Sequence, residues 1–266
     1  AWGREDEVEV LRIEVDPTQI NKPRRPSIGV VADARDGLTA LLDELGAGVV
    51  SRDSFLSECV GAKQAIDEKL HALGNLPELA NALRVAIPPD GILVTDVTQL
   101  GYYARFCWPV SGPKQVLGPS YQATLGYAMP AALGAKLANP DRVVVAIAGD
   151  GGFMFTMQEL AVAAQQGIAV VTVVLDNGSY GNVKKIQDQS FGGRNIAVEL
   201  QNPDFVAMAK SFGLHSEEAT TGPELEAALK RAIATNGPAL IRVPMDEVPS
   251  IWDLVRRPPS QGSADR

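Results

Sequence analysis

Two apolar runs, residues 143–148 (V-V-V-A-I-A) and 168–175 (I-A-V-V-T-V-V-L), dominate the hydropathy pattern, and the stretch between them carries a helical period. Runs of that length bounded by turn residues predict strands buried on both faces, and a helix joining them makes a βαβ crossover with parallel strands. Both strands then end on one edge of the sheet, where open α/β sheets bind ligands. Around this unit the pattern predicts a helix over 76–86 with Pro77 in its first turn, a strand over 92–95 after Pro-Pro-Asp-Gly, and a helix within 116–139. Gly126, Ala128, Ala131, Ala132, Gly134 and Ala135 suit that last helix to close packing on a sheet. Thr156 and Glu159 have capping-box spacing at the start of a helix that ends near Gly167, so Glu159 reads as structural. Helices over 202–212 and 223–234 and a strand over 237–244 follow. The fold class is α/β: a doubly wound, mostly parallel sheet of about six strands with helices on both faces.

Residues 1–48 supply two short strands (8–17 and 28–33) and one helix running to Leu45, capped by Asp33 or Asp36. Two strands and a helix cannot close a core unaided, so this segment is expected to be the last portion of another α/β domain. Residues 49–75, with apolar positions at Phe55, Leu56, Val60, Ile66 and Leu70, read as a linker carrying a helix; 76–248 is the main domain. The tail, 249–266, is proline- and serine-rich with Trp252 as its anchor, and is expected to be partly disordered.

Composition narrows the partners. A net charge of -8 and a pI near 4.9 argue against nucleic acid, since no basic patch appears and Arg24-Arg25 and Arg256-Arg257 are isolated pairs flanked by proline. Cys59 and Cys107 lack C-x-x-C spacing and His71 and His215 lie 144 positions apart, so neither a disulfide framework nor a zinc site is indicated. No apolar run approaches the ~20 residues of a membrane span, and the charged start Arg4-Glu5-Asp6-Glu7 is no signal peptide, which makes the cytoplasm the expected location.

The chemistry gathers at the two predicted strand ends. Gly149-Asp150-Gly151-Gly152 follows the first and Asp176-Asn177-Gly178 the second, so Asp150 and Asn177, 27 positions apart in sequence, become neighbours. A hard cation such as Mg²⁺ takes one or two side-chain oxygens and completes its shell with phosphate and water, while the glycines admit a phosphate to the backbone. The predicted ligand is a metal-bound diphosphate. Asn177-Gly178 is also a common turn pair, and Gly-Asp-Gly alone is a weak signal.

Gly149-Asp150-Gly151, followed at this spacing by Asp176-Asn177, resembles the thiamin diphosphate motif of the acetolactate synthase and pyruvate decarboxylase family. The resemblance runs from about residue 76 to 243. It implies thiamin diphosphate (ThDP) and Mg²⁺ as cofactors, with Asp150, Asn177 and the backbone carbonyl of Ser179 as metal ligands. It places Gly149, Gly151, Gly152, Phe153, Tyr180 and Gly181 around the cofactor. Asp96-Val97-Thr98-Gln99-Leu100 is similar to the family's D-V-G-Q-H, so Thr98, Gln99 and Leu100 would line the diphosphate, with Thr98 and Leu100 departing from the family's glycine and histidine; an ordinary turn with Asp96 as a cap is the alternative. The text after Val116 aligns imperfectly with the family's G-G-L-G-T-M-G-Y-A-L-P-A-A. That puts Ala123 where a backbone carbonyl meets the aminopyrimidine and Leu125 where an apolar side chain props the cofactor rings, or else in plain core. Ser120, Tyr121 and Gln122 depart from the family pattern. Phe191-Gly192-Gly193-Arg194 reads as a loop beside the active site or a simple surface turn.

What the resemblance implies for activity is decarboxylation and carboligation of 2-oxoacids, acetolactate-synthase-like, with a simple decarboxylase as the alternative. In the family the activating glutamate comes from a pyrimidine-binding domain of a neighbouring subunit, in a homodimer or homotetramer, and FAD can occupy a central domain. Nothing in the 266 residues matches that glutamate, so no catalytic residue is assigned and the chain alone is expected to be inactive. A nicotinamide-binding turn is disfavoured because its third glycine falls on Met154. A non-catalytic module retaining the fold is the remaining alternative.

Overall fold

The computed structural model describes residues 8–46, 53–120, 122–249 and 251. The expectations for residues 4–7, Tyr121, Trp252 and Arg256-Arg257 fall outside these. The chain divides into two compact units, 1–63 and 64–266.

In the first unit β1 (Leu11–Glu14) and β2 (Ile28–Val31) pair in parallel, Leu11 opposite Ile28, and α1 (Ala34–Leu45) follows. Of the two candidate caps Asp33 is the one used, its carboxylate accepting from the Arg35 N–H. Gly37 brings α1 against β1, since a Cβ there would lie 2.7 Å from Ile13. The outer surfaces of this small unit are apolar: Val15 and Leu42 are each 68% exposed, and Ile28, Val31 and Leu38 more than half exposed. Helix α2 (Asp53–His71) spans the boundary between the units.

The second unit holds a six-stranded, all-parallel sheet in the order β4-β3-β5-β6-β8-β7. Its elements are α3 (Leu76–Ala86), β3 (Ile92–Thr95), α4 (Gln99–Cys107), β4 (Val116–Leu117), α5 (Ala128–Ala138), β5 (Val144–Gly149), α6 (Asp150–Met154), α7 (Glu159–Gln166), β6 (Val170–Asp176), α8 (Gly181–Phe191), α9 (Phe205–Ser211), β7 (His215–Glu218), α10 (Gly222–Ala234) and β8 (Ala239–Pro244). Alternate strand residues feed two cores. Leu93, Val145, Ile147, Val171, Val173 and Ile241 meet α3, α4 and α10 on one face. Val94, Val144, Ala146, Val170, Val174 and Leu240 meet α5, α7 and α9 on the other. Near-continuous Val/Ile/Leu text is what burial on both faces requires.

From β3 the chain crosses to β4 on one side and, later, to β5 on the other, which makes the crevice between β3 and β5 a topological switch point. Residue 149 pairs with 175 in the register, so the segments after β5 and β6 leave the sheet side by side.

Several local expectations are corrected. The capping box at Thr156 does not form: its hydroxyl donates to the Gly126 carbonyl, and α7 begins after Gln158 without a side-chain cap. The helix expected within 116–139 is α5, and the two-residue strand β4 ahead of it was not anticipated. Residues 181–191, for which the hydropathy pattern predicts no element, form α8, closed by Gly192 at φ 63°. The edge strand β7 precedes α10, and its polar text (His-Ser-Glu-Glu) carries no apolar alternation. Among the described residues no helix is long and apolar enough to cross a membrane.

Candidate functional site

Three strand-to-helix loops converge at the switch point. The cleft among them, about 320 Å³, is lined by Thr98, Gln99, Leu100, Gly149, Asp150, Asn177, Ser179 and Gly181, all of them anticipated from the sequence, and is closed outward by Lys185, Gln189 and residues 245–248. A larger cavity of about 800 Å³ lies on the far side of the Asp176–Gly178 turn and contains none of the β3 or β5 loop residues. The smaller cleft is the candidate site because it alone joins all three loops.

Asp150 opens α6 and is 3% exposed. Its Oδ1 accepts from the Gly151 N–H at 2.9 Å and its Oδ2 from Asn202 Nδ2 at 2.7 Å. Burial pushes its carboxyl above the ordinary 3.8; the Asn202 and Gly151 hydrogen bonds oppose this, and the nearby charge of Asp176 reinforces it. Across the strand pair, Asp176 Oδ1 accepts from the same Asn202 nitrogen at 2.7 Å and from the Gly178 N–H, while its Oδ2 takes the Arg242 guanidinium at 2.7 Å. Arg242 also bonds Glu218, so the tips of β6, β8 and β7 are tied by charge.

Asn177 faces the cleft with its Oδ1 accepting from the N–H and the hydroxyl of Ser179, both at 3.2 Å. Bonds of that length are weak, and the amide oxygen retains capacity for a cation. Residues 178–180 run antiparallel to 198–200: Tyr180 N–H donates to Val198 and Leu200 N–H to Gly178, forming an isolated bridge between Ser179 and Glu199. In that pattern Ser179's own N–H and C=O point away from the partner strand.

The glycines have a specific steric cause. A Cβ on Gly151 would lie 2.5 Å from the Tyr180 ring, and one on Gly152 2.9 Å from Asp96 Oδ2. Gly151→Ala is therefore expected to force Tyr180 out of place, costing about 1–3 kcal/mol. Urea denaturation would measure this, and Tyr180→Ala in the same chain should restore most of the loss.

On the β3 side the residue that caps α4 is Thr98, whose hydroxyl oxygen accepts from Gly101 N–H and leaves its hydrogen to donate elsewhere. Asp96, the cap in the alternative reading of this turn, instead reaches across the site. It is 1% exposed; Oδ1 accepts from Val97 N–H at 2.8 Å and Oδ2 from Gly126 N–H at 2.9 Å. One carboxylate thus touches the β3 loop, the 122–127 loop and Gly152. Burial raises its carboxyl above the ordinary value, against the backbone N–H groups that lower it.

Not every anticipated residue comes to the cleft. Ala123, at φ 47°, and Leu125, 36% exposed, sit on the loop ahead of Gly126 and are no part of its lining; Leu125 is not core. The Phe153 ring is fully buried, edge-on to Phe205 at 5.7 Å, so only its backbone is available to a ligand. Leu100 is fully buried and contributes apolar wall. Two residues that sequence reasoning passed over, Asn202 and Asp96 in its bridging role, act through contacts 52 and 30 positions away, which no local pattern signals.

The donor set fits a metal-bound diphosphate. One carboxylate and one amide flank the cleft on adjacent strand ends, and the buried Gln99 Oε1 has no protein partner, leaving its amide aimed where a ligand or water completes it. With its NH₂ group turned inward, Gln99 can offer N–H to phosphate.

Comparison with known proteins agrees. Residues 96–243 match the model of the thiamine pyrophosphate enzyme C-terminal TPP binding domain. The chain is 31% identical over 260 residues to the acetolactate synthase isozyme 2 large subunit of Escherichia coli (strain K12), covering 96% of this chain and 46% of that protein. It is 30% identical over 263 residues to the acetolactate synthase large subunit of Corynebacterium glutamicum, covering 94% and 42%. Its fold matches a thiamine diphosphate-dependent 4-hydroxybenzoylformate decarboxylase of Rhodococcus jostii RHA1 with a TM-score of 0.71 at 24% identity, over 91% of this chain and 44% of that one. The chain spans less than half the length of each. It belongs to the thiamine pyrophosphate enzyme family, of which residues 96–243 are the C-terminal TPP binding domain.

Proposed function

We propose that this chain holds the diphosphate and Mg²⁺ of ThDP for an acetolactate-synthase-like enzyme that decarboxylates a 2-oxoacid and joins the product to a second carbonyl. The observation that carries the reading is the convergence of Asp150, Asn177, Ser179, Gly181, Gln99 and Thr98 on one cleft at the switch point. Asp150, the Asn177 amide and the Ser179 carbonyl would hold the cation. Backbone N–H groups at Gly152 and Gly181, with Gln99 and Thr98, would meet the phosphates, the Gly151 and Tyr180 N–H groups being engaged by Asp150 and Val198. Bound there, ThDP supplies a carbon nucleophile and an electron sink. The protein's part is to fix the tail and exclude water around it. The 122–127 loop, clamped through the Gly126 N–H by Asp96, would carry Leu125 toward the cofactor rings.

The 2-oxoacid activity belongs to the whole protein in this reading, with the activating acid coming from outside these 266 residues and from a neighbouring copy in a homodimer or homotetramer. Residues 1–48 would complete a central domain, which accounts for the apolar surfaces of the first unit. A simple 2-oxoacid decarboxylase is the second reading, favoured by the fold match. Calorimetric titration tests the core of the proposal: ThDP with Mg²⁺ should bind, and the isolated chain should consume no pyruvate. Absence of binding in the full-length protein would instead favour a non-catalytic module; pyruvate turnover by the chain alone would refute the external acid.

The raised carboxyl of Asp150 gives a pH signature. Its folded value lies above 3.8, so its contribution to stability is fully present below about 3.8 and lost as pH rises through the folded value. A cation must displace the proton held in that window. Mg²⁺ affinity, measured in the presence of ThDP between pH 4 and 8, should therefore rise with pH and level off above the Asp150 titration, with proton release at the acid end.

A further inference from the structure

Residues 198–205 form a strap across the ends of β5 and β6. Its first part pairs with 178–180 through the Tyr180–Val198 and Leu200–Gly178 hydrogen bonds. At its far end Phe205 packs edge-on against Phe153, three residues beyond Asp150, in the core beneath the site. Between these anchors stands Asn202, whose single amide nitrogen lies 2.7 Å from Asp150 Oδ2 and 2.7 Å from Asp176 Oδ1. Its backbone is restrained because Pro203 follows, and Asp204 caps α9 through the Ala207 N–H. The side chain is thus presented from a stiff platform.

The geometry has a specific consequence. Two carboxylates within one hydrogen bond of the same atom repel, and an NH₂ group, with one hydrogen for each, joins them without adding a charge. Asp176 is paired on its other side with Arg242, so it serves as a fixed post. Asp150, held by Gly151 N–H on Oδ1 and by Asn202 on Oδ2, has no rotational freedom left about its carboxyl plane. We propose that Asn202 is a positioning residue for the cation, holding the Asp150 carboxylate in ligating orientation by tethering it to Asp176. This rests on the reading of Asp150 as the metal ligand. It adds that the affinity of the site is set by a residue that does not itself touch the ion. Partners of this kind, which orient a ligating group, typically govern about 10–100-fold of metal affinity.

The test is a Mn²⁺ titration of the 266-residue chain with saturating ThDP, free Mn²⁺ being read by electron paramagnetic resonance and the metal-free fold by circular dichroism melting. Asn202→Ala should weaken Mn²⁺ binding at least about tenfold. Asp176→Asn should also weaken it, and the double variant should lose no more than the larger single loss, because both act through one tether. If Asn202→Ala does not fold, Asn202→Ser, which keeps one donor for two acceptors, should weaken Mn²⁺ binding more than twofold relative to the parent. A role confined to folding would lower the metal-free melting temperature and leave Mn²⁺ affinity within twofold of the parent; that result overturns the proposal while the cation site stands. Parental Mn²⁺ binding in Asp150→Ala, or none in the parent chain, removes the cation site and the tether together.

Discussion

Replacing Asp150 by alanine abolishes the rise in melting temperature that ThDP and Mg²⁺ together produce in the parent chain. A ligand at one hundred times its Kd stabilises a protein by about 2.7 kcal/mol. In a domain of this size that is a rise of roughly 5–10 °C. The variant should show less than about 1 °C at the same concentrations, because the one carboxylate among the three candidate ligands is gone while the Asn177 amide and the Ser179 carbonyl are neutral. Calorimetric melting with and without both ligands reads the difference. A shift in the variant equal to the parent's would remove Asp150 from the cation site.

Asp96→Ala is expected to be the most damaging single change to the fold of the site. It strands the N–H groups of Val97 and Gly126, both buried or nearly so, and leaving such a donor without an acceptor costs about 1–3 kcal/mol each. It also frees the 122–127 loop. Urea unfolding should therefore show a loss of some 2–6 kcal/mol. The ThDP-dependent stabilisation should shrink beyond what the lost fold stability explains. Asp96→Asn restores one acceptor and sets an NH₂ against the other N–H, so it should recover only part. A loss below about 1 kcal/mol in the alanine variant would mean that the clamp carries no weight.

The parts of the site that could be read in sequence are those whose signal is local. Residues 143–148 and 168–175 announce doubly buried strands by unbroken apolar text, and parallel strands oblige Asp150 and Asn177 to emerge on one edge. Where the signal is tertiary, sequence reading fails. Thr156 has the spacing of a capping box, but its hydroxyl is drawn to the Gly126 carbonyl, a contact that exists only once two loops have met. Asp96 looked like a cap because acids often cap helices; burial against Gly126 and Gly152 redirected it, and Thr98 took the cap. Asn202 reads as the start of a helix over 202–212, which the structure begins at Phe205, and it gains no role in the site from sequence, since nothing in its neighbourhood shows that two carboxylates await it. Strand β7 escaped because an edge strand with polar text has no alternation to detect.

The bare apolar surfaces of the β1–β2–α1 unit bear on how these measurements are made. Val15, Leu42, Ile28, Val31 and Leu38 present greasy surface while the chain is fully native. Solvatochromic dyes that light up on such surface should fluoresce strongly before any heating, masking the ligand-dependent transition. Label-free detection, or a chain shortened to begin at Gln64, should recover a clean baseline.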